Sequence, residues 1–140
     1  MPAEFQIRPY RDRDKQDVIA LWNEAFPGNS PWNIPEEDIE RKSKMQSELF
    51  LVAELNGKIA GTAMGGYDGH RGWVYYVAVI KKHRRKGIGR SLMMRLEADL
   101  KAMGCPKLNL QVRSSNQDAV EFYRRLGYAV EDRVSMGKLL

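Results

Sequence analysis

Cysteine and histidine are nearly absent: the 140-residue chain holds one cysteine, Cys105, and two histidines, His70 and His83. A single thiol excludes an internal disulfide and any multi-cysteine zinc site, and so few imidazoles leave no histidine-rich centre, so no metal is expected. Long apolar runs are missing as well, none approaching the ~20 residues that cross a bilayer. The start, Met1-Pro-Ala-Glu-Phe, has neither a basic n-region nor an apolar h-region, which argues against export. A reduced, cytoplasmic setting away from membranes is the expectation. The composition, 43% hydrophobic and 29% charged, excludes a disordered tail. At this length a single domain over residues 4–140 is expected, burying roughly 68–70% of its unfolded surface.

Acidic charge is outnumbered, 18 Asp and Glu against 23 Lys and Arg, for a net charge of +5. The excess is local. Lys81-Lys-His-Arg-Arg-Lys-Gly-Ile-Gly-Arg90 carries six of the 23 cations, and the remaining 17 nearly balance the 18 acids. One anionic partner at one place is implied rather than a surface that coats nucleic acid.

Residues 4–10 alternate as a short edge strand, and Asp12 or Asp14 then caps a helix with Val18, Leu21, Trp22 and Ala25 on one face. Pro27-Gly28-Asn29-Ser30-Pro31 breaks it. A second helix is expected from Pro35, with Glu36, Glu37 and Asp38 in its first turn, to about Gln46. Strands at 49–55 and 58–64 flank Asn56-Gly57, a strong hairpin signal. Trp73 to Ile80 is apolar or aromatic on both parities and reads as a central strand buried on both faces.

A helix with Ile88, Leu92, Leu96, Leu100 and Met103 on one stripe follows the basic segment, ended by Gly104 and Pro106. Residues 107–112 alternate as a strand. Ser115 or Asn116 caps a last helix carrying Ala119, Phe122, Tyr123 and Leu126, closed by Gly127, and residues 128–139 read as two short strands. The order β-α-α-β-β-β-α-β-α-β-β is that of an α/β (α+β) domain, a mixed sheet with helices against it.

The chemistry concentrates between the Trp73–Ile80 strand and the following helix. A loop entering a helix presents unpaired N–H groups and the positive end of the dipole. Gly87 and Gly89 clear side chains where an anion approaches the backbone, and Arg84, Arg85, Lys86 and Arg90 add charge. These features describe a polyphosphate cradle. A Walker loop is excluded because no G-x-x-x-x-G-K-[ST] run exists, and a dinucleotide fingerprint fails because Leu92 stands at its third glycine. What remains is Arg84-x-x-Gly87-x-Gly89.

That hexamer resembles the coenzyme A pyrophosphate loop of the GNAT (Gcn5-related) N-acetyltransferase superfamily. Asn116-x-x-Ala119-x-x-Phe122-Tyr123-x-x-x-Gly127-Tyr128 resembles the superfamily's later motif, and the likeness spans residues 4 to 139. Pro31-Trp32-Asn33, the stretch from Met64 to Gly72 and Gly104-Cys105-Pro106-Lys107 are similar to the bacterial YpeA-type group. The resemblance implies a mostly antiparallel sheet of about six or seven strands, about four helices and a splayed central parallel pair. It implies acetyl-CoA as cosubstrate and an amine acceptor attacking the thioester directly in a ternary complex. A homodimer is left open.

Carried over by position, Val77 and Val79 offer main-chain partners to the pantetheine arm. Arg84, Arg85, Lys86, Gly87, Gly89 and Arg90 hold the pyrophosphate, and Asn116 reaches the cofactor arm. Tyr123 protonates the leaving thiolate as the catalytic acid. Trp32, Asp68, His70 and Trp73 are candidates for the acceptor side, with Glu54 a further relay. Trp73 stands where many members carry a glutamate. A lysine amine of pKa ~10.4 is only about 0.04% neutral at pH 7, whereas an α-amine near 7.7–8.0 is roughly 10–20% neutral. Lacking that glutamate, the site favours an α-amine or another weakly basic amine. Two rival readings stay open: a coenzyme A-binding regulatory protein without turnover, and a nucleic-acid-binding module using the basic run.

Overall fold

The computed structural model describes residues 4–140, which divide into two compact units between Leu110 and Gln111. The first contains β1 (Gln6–Pro9), α1 (Lys15–Ala25), α2 (Pro35–Lys42), β2 (Phe50–Leu55), β3 (Lys58–Tyr67), β4 (Gly72–Val79), α3 (Ile88–Ala102) and β5 (Leu108–Asn109). The strands form one sheet in the order β1-β2-β3-β4-β5. Every pairing is antiparallel except β4 with β5.

Local chemistry places these elements. Asn56 and Gly57 take φ of 52° and 77°, the double left-handed turn that matches strand twist in a two-residue hairpin. Pro35 opens α2 at its first position with Glu36, Glu37 and Asp38 in the first turn. Gly104, at φ 87°, ends α3 by letting the Cys105 N–H reach back to the Leu100 carbonyl at 3.1 Å.

The two faces of β3 decide the layering. On one, Val18, Leu21 and Trp22 of α1 join Phe50, Val52, Ile59, Met64 and Ala78 in a buried cluster. On the other, α3 lies against glycines: a Cβ at Gly61 would stand 3.0 Å from Ile88 Cγ2, and one at Gly65 would stand 2.3 Å from Leu96 Cδ1. Leu96 is fully buried and has little room to yield. Gly65→Ala is therefore expected to lower stability by about 1–3 kcal/mol through overpacking, read as a shifted urea midpoint at unchanged slope.

Several expectations change. The second helix stops at Lys42, because the chain turns and Gln46 adopts φ 50°. The Gln46 amide then pairs with the Tyr67 main chain in both directions, at 2.7 and 2.8 Å. Asp14 stands at the head of α1 but caps no α1 amide, because its carboxylate is taken by Arg8 and by the Arg11 N–H. The strand at 107–112 shortens to Leu108–Asn109, since its parallel ladder has only the rungs Gly72↔Leu108 and Trp73↔Asn109. β4 is covered on both faces as expected, Val74 being buried beside Gly65 on the α3 side and Ala78 in the α1-side cluster, but Tyr75 departs from the pattern at 55% exposed.

The second unit holds α4 (Gln117–Arg125). Asn116 caps it, its Oδ1 accepting the Ala119 N–H at 3.2 Å. Gly127, at φ 98°, closes it as Tyr128 N–H bonds the Tyr123 carbonyl at 3.0 Å. Residues 128–139 form no strand. Val130, Val134 and Met136 are exposed, so no buried face enforces a register on the segment. The sheet among the described residues thus has five strands rather than six or seven.

Candidate active site

Beyond its second parallel rung β4 keeps β3 on one side and, among the described residues, has no ladder partner on the other. This open edge, Val74 to Val79, is the splay expected of the central parallel pair. Trp73 stands at the last rung, paired with Gly66 and with Asn109. Orientation along the edge follows from the ladder. The Ile80 N–H bonds the Ala60 carbonyl on β3 at 2.8 Å, so Val79 and, by alternation, Val77 turn their main-chain groups outward. The Val79 carbonyl is not bare: Arg84 Nε donates to it at 3.2 Å.

Midway along the edge the register slips. Thr62 pairs with Ala78, yet Met64 pairs with Tyr75, so β4 carries one extra residue. The bulge centres on Tyr76, at φ 52°. Its ring stacks on Trp22, centroids 3.7 Å apart and planes at 9°, and meets the edge of Phe26. Its hydroxyl donates to Asp38 Oδ2 at 2.5 Å. Burial, reinforced by that bond to a carboxylate, holds the Tyr76 phenol well above its ordinary value. The bulge also explains the sequence pattern: Tyr75 opposes Met64 of the α1-side cluster, and Tyr76 packs on the same cluster. Apolar residues on both parities thus reflect an inserted residue as well as burial of Val74 on one face and Ala78 on the other. Tyr76, Thr62 and Asp38 were missed for that reason, though Tyr75-Tyr76 was the available signal.

The basic segment follows at the end of the open edge. A short 3₁₀ turn, Lys81–His83, leads to Arg85 at φ 64° and Gly87 at φ 81°. Gly87 heads α3, and no side chain caps the helix, so its first-turn amides keep the positive end of the dipole open to an anion. Gly89 and Arg90 belong to that first turn. A Cβ at Gly87 would meet nothing within 4 Å, so its glycine answers to backbone conformation. Lys86 Nζ lies 2.8 Å from His83 Nδ1. Desolvation and the charges of Lys86 and Lys82 hold that imidazole below its usual value.

The acceptor-side candidates are less concentrated. Asp68 builds the β3–β4 turn, its Oδ1 accepting the N–H groups of His70 at 2.7 Å and Arg71 at 2.8 Å. The Arg71 and His70 amide bonds hold its carboxyl below the usual range, which weakens it as a base. His70 is exposed. Trp32, in the connection between α1 and α2, is 57% exposed. Glu54 accepts from Arg8 at 3.0 Å and is occupied as an ion-pair partner. In the second unit, Tyr123 packs edge-on against Phe122 and Tyr128, and burial pushes its phenol up to about 12. No three His, Cys, Asp or Glu side chains among the described residues come together as metal ligands, and no helix there is long and apolar enough to cross a membrane.

Comparison with known proteins points the same way. The family model "Acetyltransferase (GNAT) family" matches residues 15–128. An acetyltransferase of Yersinia pestis (strain Pestoides F) is 48% identical over 136 residues, covering 97% of this chain and 96% of its own. The crystal structure of glucosamine-6-phosphate N-acetyltransferase from Arabidopsis thaliana superposes with a TM-score of 0.71 at 26% identity, covering 97% and 98% of the two chains. An aminoglycoside N-acetyltransferase crystallised with CoA gives 0.80 at 14% identity over 99% and 97%, a likeness of fold. With a family model matching residues 15–128 and a relative 48% identical over nearly the whole of both chains, the chain belongs to the acetyltransferase (GNAT) family.

Proposed function

We propose that this protein is an acetyl-CoA-dependent N-acetyltransferase acting on a primary amine, a small molecule or a protein α-amine, as one domain over residues 4–140. The observation that carries the reading is the continuity of the β4 open edge with the Arg84–Arg90 segment. Main-chain groups at Val77 and Val79 serve the pantetheine arm, and Arg84, Arg85, Lys86, Gly87, Gly89 and Arg90 serve the pyrophosphate. Arg84 already reaches from the loop to the strand through Val79. Asn116 adds a contact to the cofactor arm from the head of α4. The neutral amine attacks the thioester carbonyl, a C–N bond forms as the C–S bond breaks, and Tyr123 gives its proton to the departing sulfur. Trp32, Asp68, His70 and Trp73 border the acceptor. With Asp68 tied into its turn and Trp73 in place of a carboxylate, the amine must arrive largely unprotonated, which supports a weakly basic acceptor.

Coenzyme A is expected to raise the melting temperature where ATP and NAD at equal concentration do not. Gly87→Ala keeps the fold, since the new methyl meets open space. It adds about 1–2 kcal/mol of left-handed backbone strain at the cradle, so calorimetry is expected to show coenzyme A affinity about tenfold weaker. Equal binding by wild type and variant would remove the loop from the site. Firm binding with no acetyl-CoA consumption across an amine panel would instead favour a coenzyme A-binding regulator.

A further inference from the structure

We propose that Thr62 is a positioning residue for acyl transfer, holding the β4 bulge in its left-handed form through a buried relay from Trp22. The relay runs in one direction. Trp22 Nε1–H donates to Thr62 Oγ1 at 2.9 Å, and Thr62 Oγ1–H donates to the Tyr76 carbonyl at 2.7 Å. Trp22 is 1% exposed and Thr62 0%. An indole N–H has no acceptor capacity, so it can only donate, and this leaves the threonine proton for Tyr76.

The left-handed region is unfavourable for an aromatic residue, and such strain persists only where the surroundings over-determine it. Here they do so at three points: the Thr62 bond on the carbonyl, the Trp22 stack on the ring and the Asp38 bond on the hydroxyl. The inserted residue lies within the one stretch of β4 that has an open edge. An extra residue in a strand re-aims the backbone groups next to it. In this strand those groups are the outward ones at Val77 and beyond. The inference rests on the reading of that edge as the pantetheine and thioester site. The fully buried Thr62 hydroxyl must place its proton on an acceptor, and the acceptor it reaches is the carbonyl of the strained residue, which ties the relay to the bulge.

The test compares Thr62→Val, Thr62→Ser and Trp22→Phe in the full chain, with coenzyme A affinity and steady-state kinetics on the best amine of a panel. Thr62→Val keeps shape but loses the donor. It is expected to lower kcat at least about tenfold, in keeping with a misplaced reacting group, with coenzyme A affinity within about threefold because the pyrophosphate loop is untouched. Thr62→Ser restores the hydroxyl and is expected to return kcat to within about threefold of wild type. Trp22→Phe keeps the stack, frees the threonine hydroxyl to turn and gives an intermediate kcat, which tests the relay even if the valine variant does not fold. Wild-type kcat in the valine or phenylalanine variant, or a serine variant as slow as valine, overturns the positioning role. Wild-type protein that binds no coenzyme A overturns the underlying site reading as well, so the two failures are told apart.

Discussion

Replacing Tyr123 by phenylalanine is expected to lower kcat by about 100-fold while coenzyme A affinity stays within a factor of two. A thiol of pKa near 8.5 departs as a charged thiolate unless a proton meets it, and a positioned hydroxyl both stabilises that charge and discharges it. Burial pushes the Tyr123 phenol up to about 12, so it remains the protonated donor across any practical assay range. The rate should therefore rise with pH as the amine deprotonates, with no alkaline fall from this group below about pH 10. Phenylalanine preserves the packing against Phe122 and Tyr128, so the melting temperature should hardly move. Unchanged turnover with several amines, or a loss matched by equally weakened coenzyme A binding, would place Tyr123 outside the chemistry.

What could be read from the chain alone was the part written in short segments. Asn56-Gly57, Pro35, Gly104, Asn116 and Gly127 each do locally what their chemistry dictates, and each ends or begins an element as read. The cationic glycine segment was legible for the same reason, since its strand, loop and helix are consecutive. The relay from Trp22 to Tyr76 was not, because its partners lie 40 and 14 residues apart and meet only through β3. Nor was the fate of Asp14. Its position predicts a cap, yet the buried guanidinium of Arg8 outcompetes a helix amide because it brings a full opposite charge and two parallel bonds where an amide brings one. The two strands read at 128–139 do not form, because a strand is fixed by a buried face and Val130, Val134 and Met136 have none.

Arg8→Leu is expected to destabilise the protein by about 3–5 kcal/mol at neutral pH. Arg8 and Asp14 are 6% and 5% exposed. Their two parallel bonds measure 2.8 Å each, and the same guanidinium reaches Glu54 at 3.0 Å and the Pro9 carbonyl at 3.1 Å. It thereby ties β1 to the turn before α1 and to β2. Removing it strands a buried carboxylate with one strong partner, the Arg11 N–H at 2.9 Å. The pH dependence follows from the same groups. In the native protein, burial pushes Asp14 up, but the Arg8 bonds, the Arg11 amide and the charges of Arg8 and Arg13 outweigh it, and the carboxyl lies below 3.8. Its contribution is fully present above that ordinary value and is lost as pH falls through the lower folded one. In the leucine variant burial dominates and the folded carboxyl titrates above its unfolded value, so protonation stabilises the variant. The gap between wild type and variant should thus be widest at pH 7 and narrow steadily toward pH 4, measured by urea unfolding at each pH. A gap below about 1 kcal/mol, or one independent of pH, would mean that the pair is screened like a surface ion pair. Arg8→Leu combined with Asp14→Leu removes the stranded charge and should regain much of the loss, which separates the burial of an unpaired carboxylate from simple loss of packing.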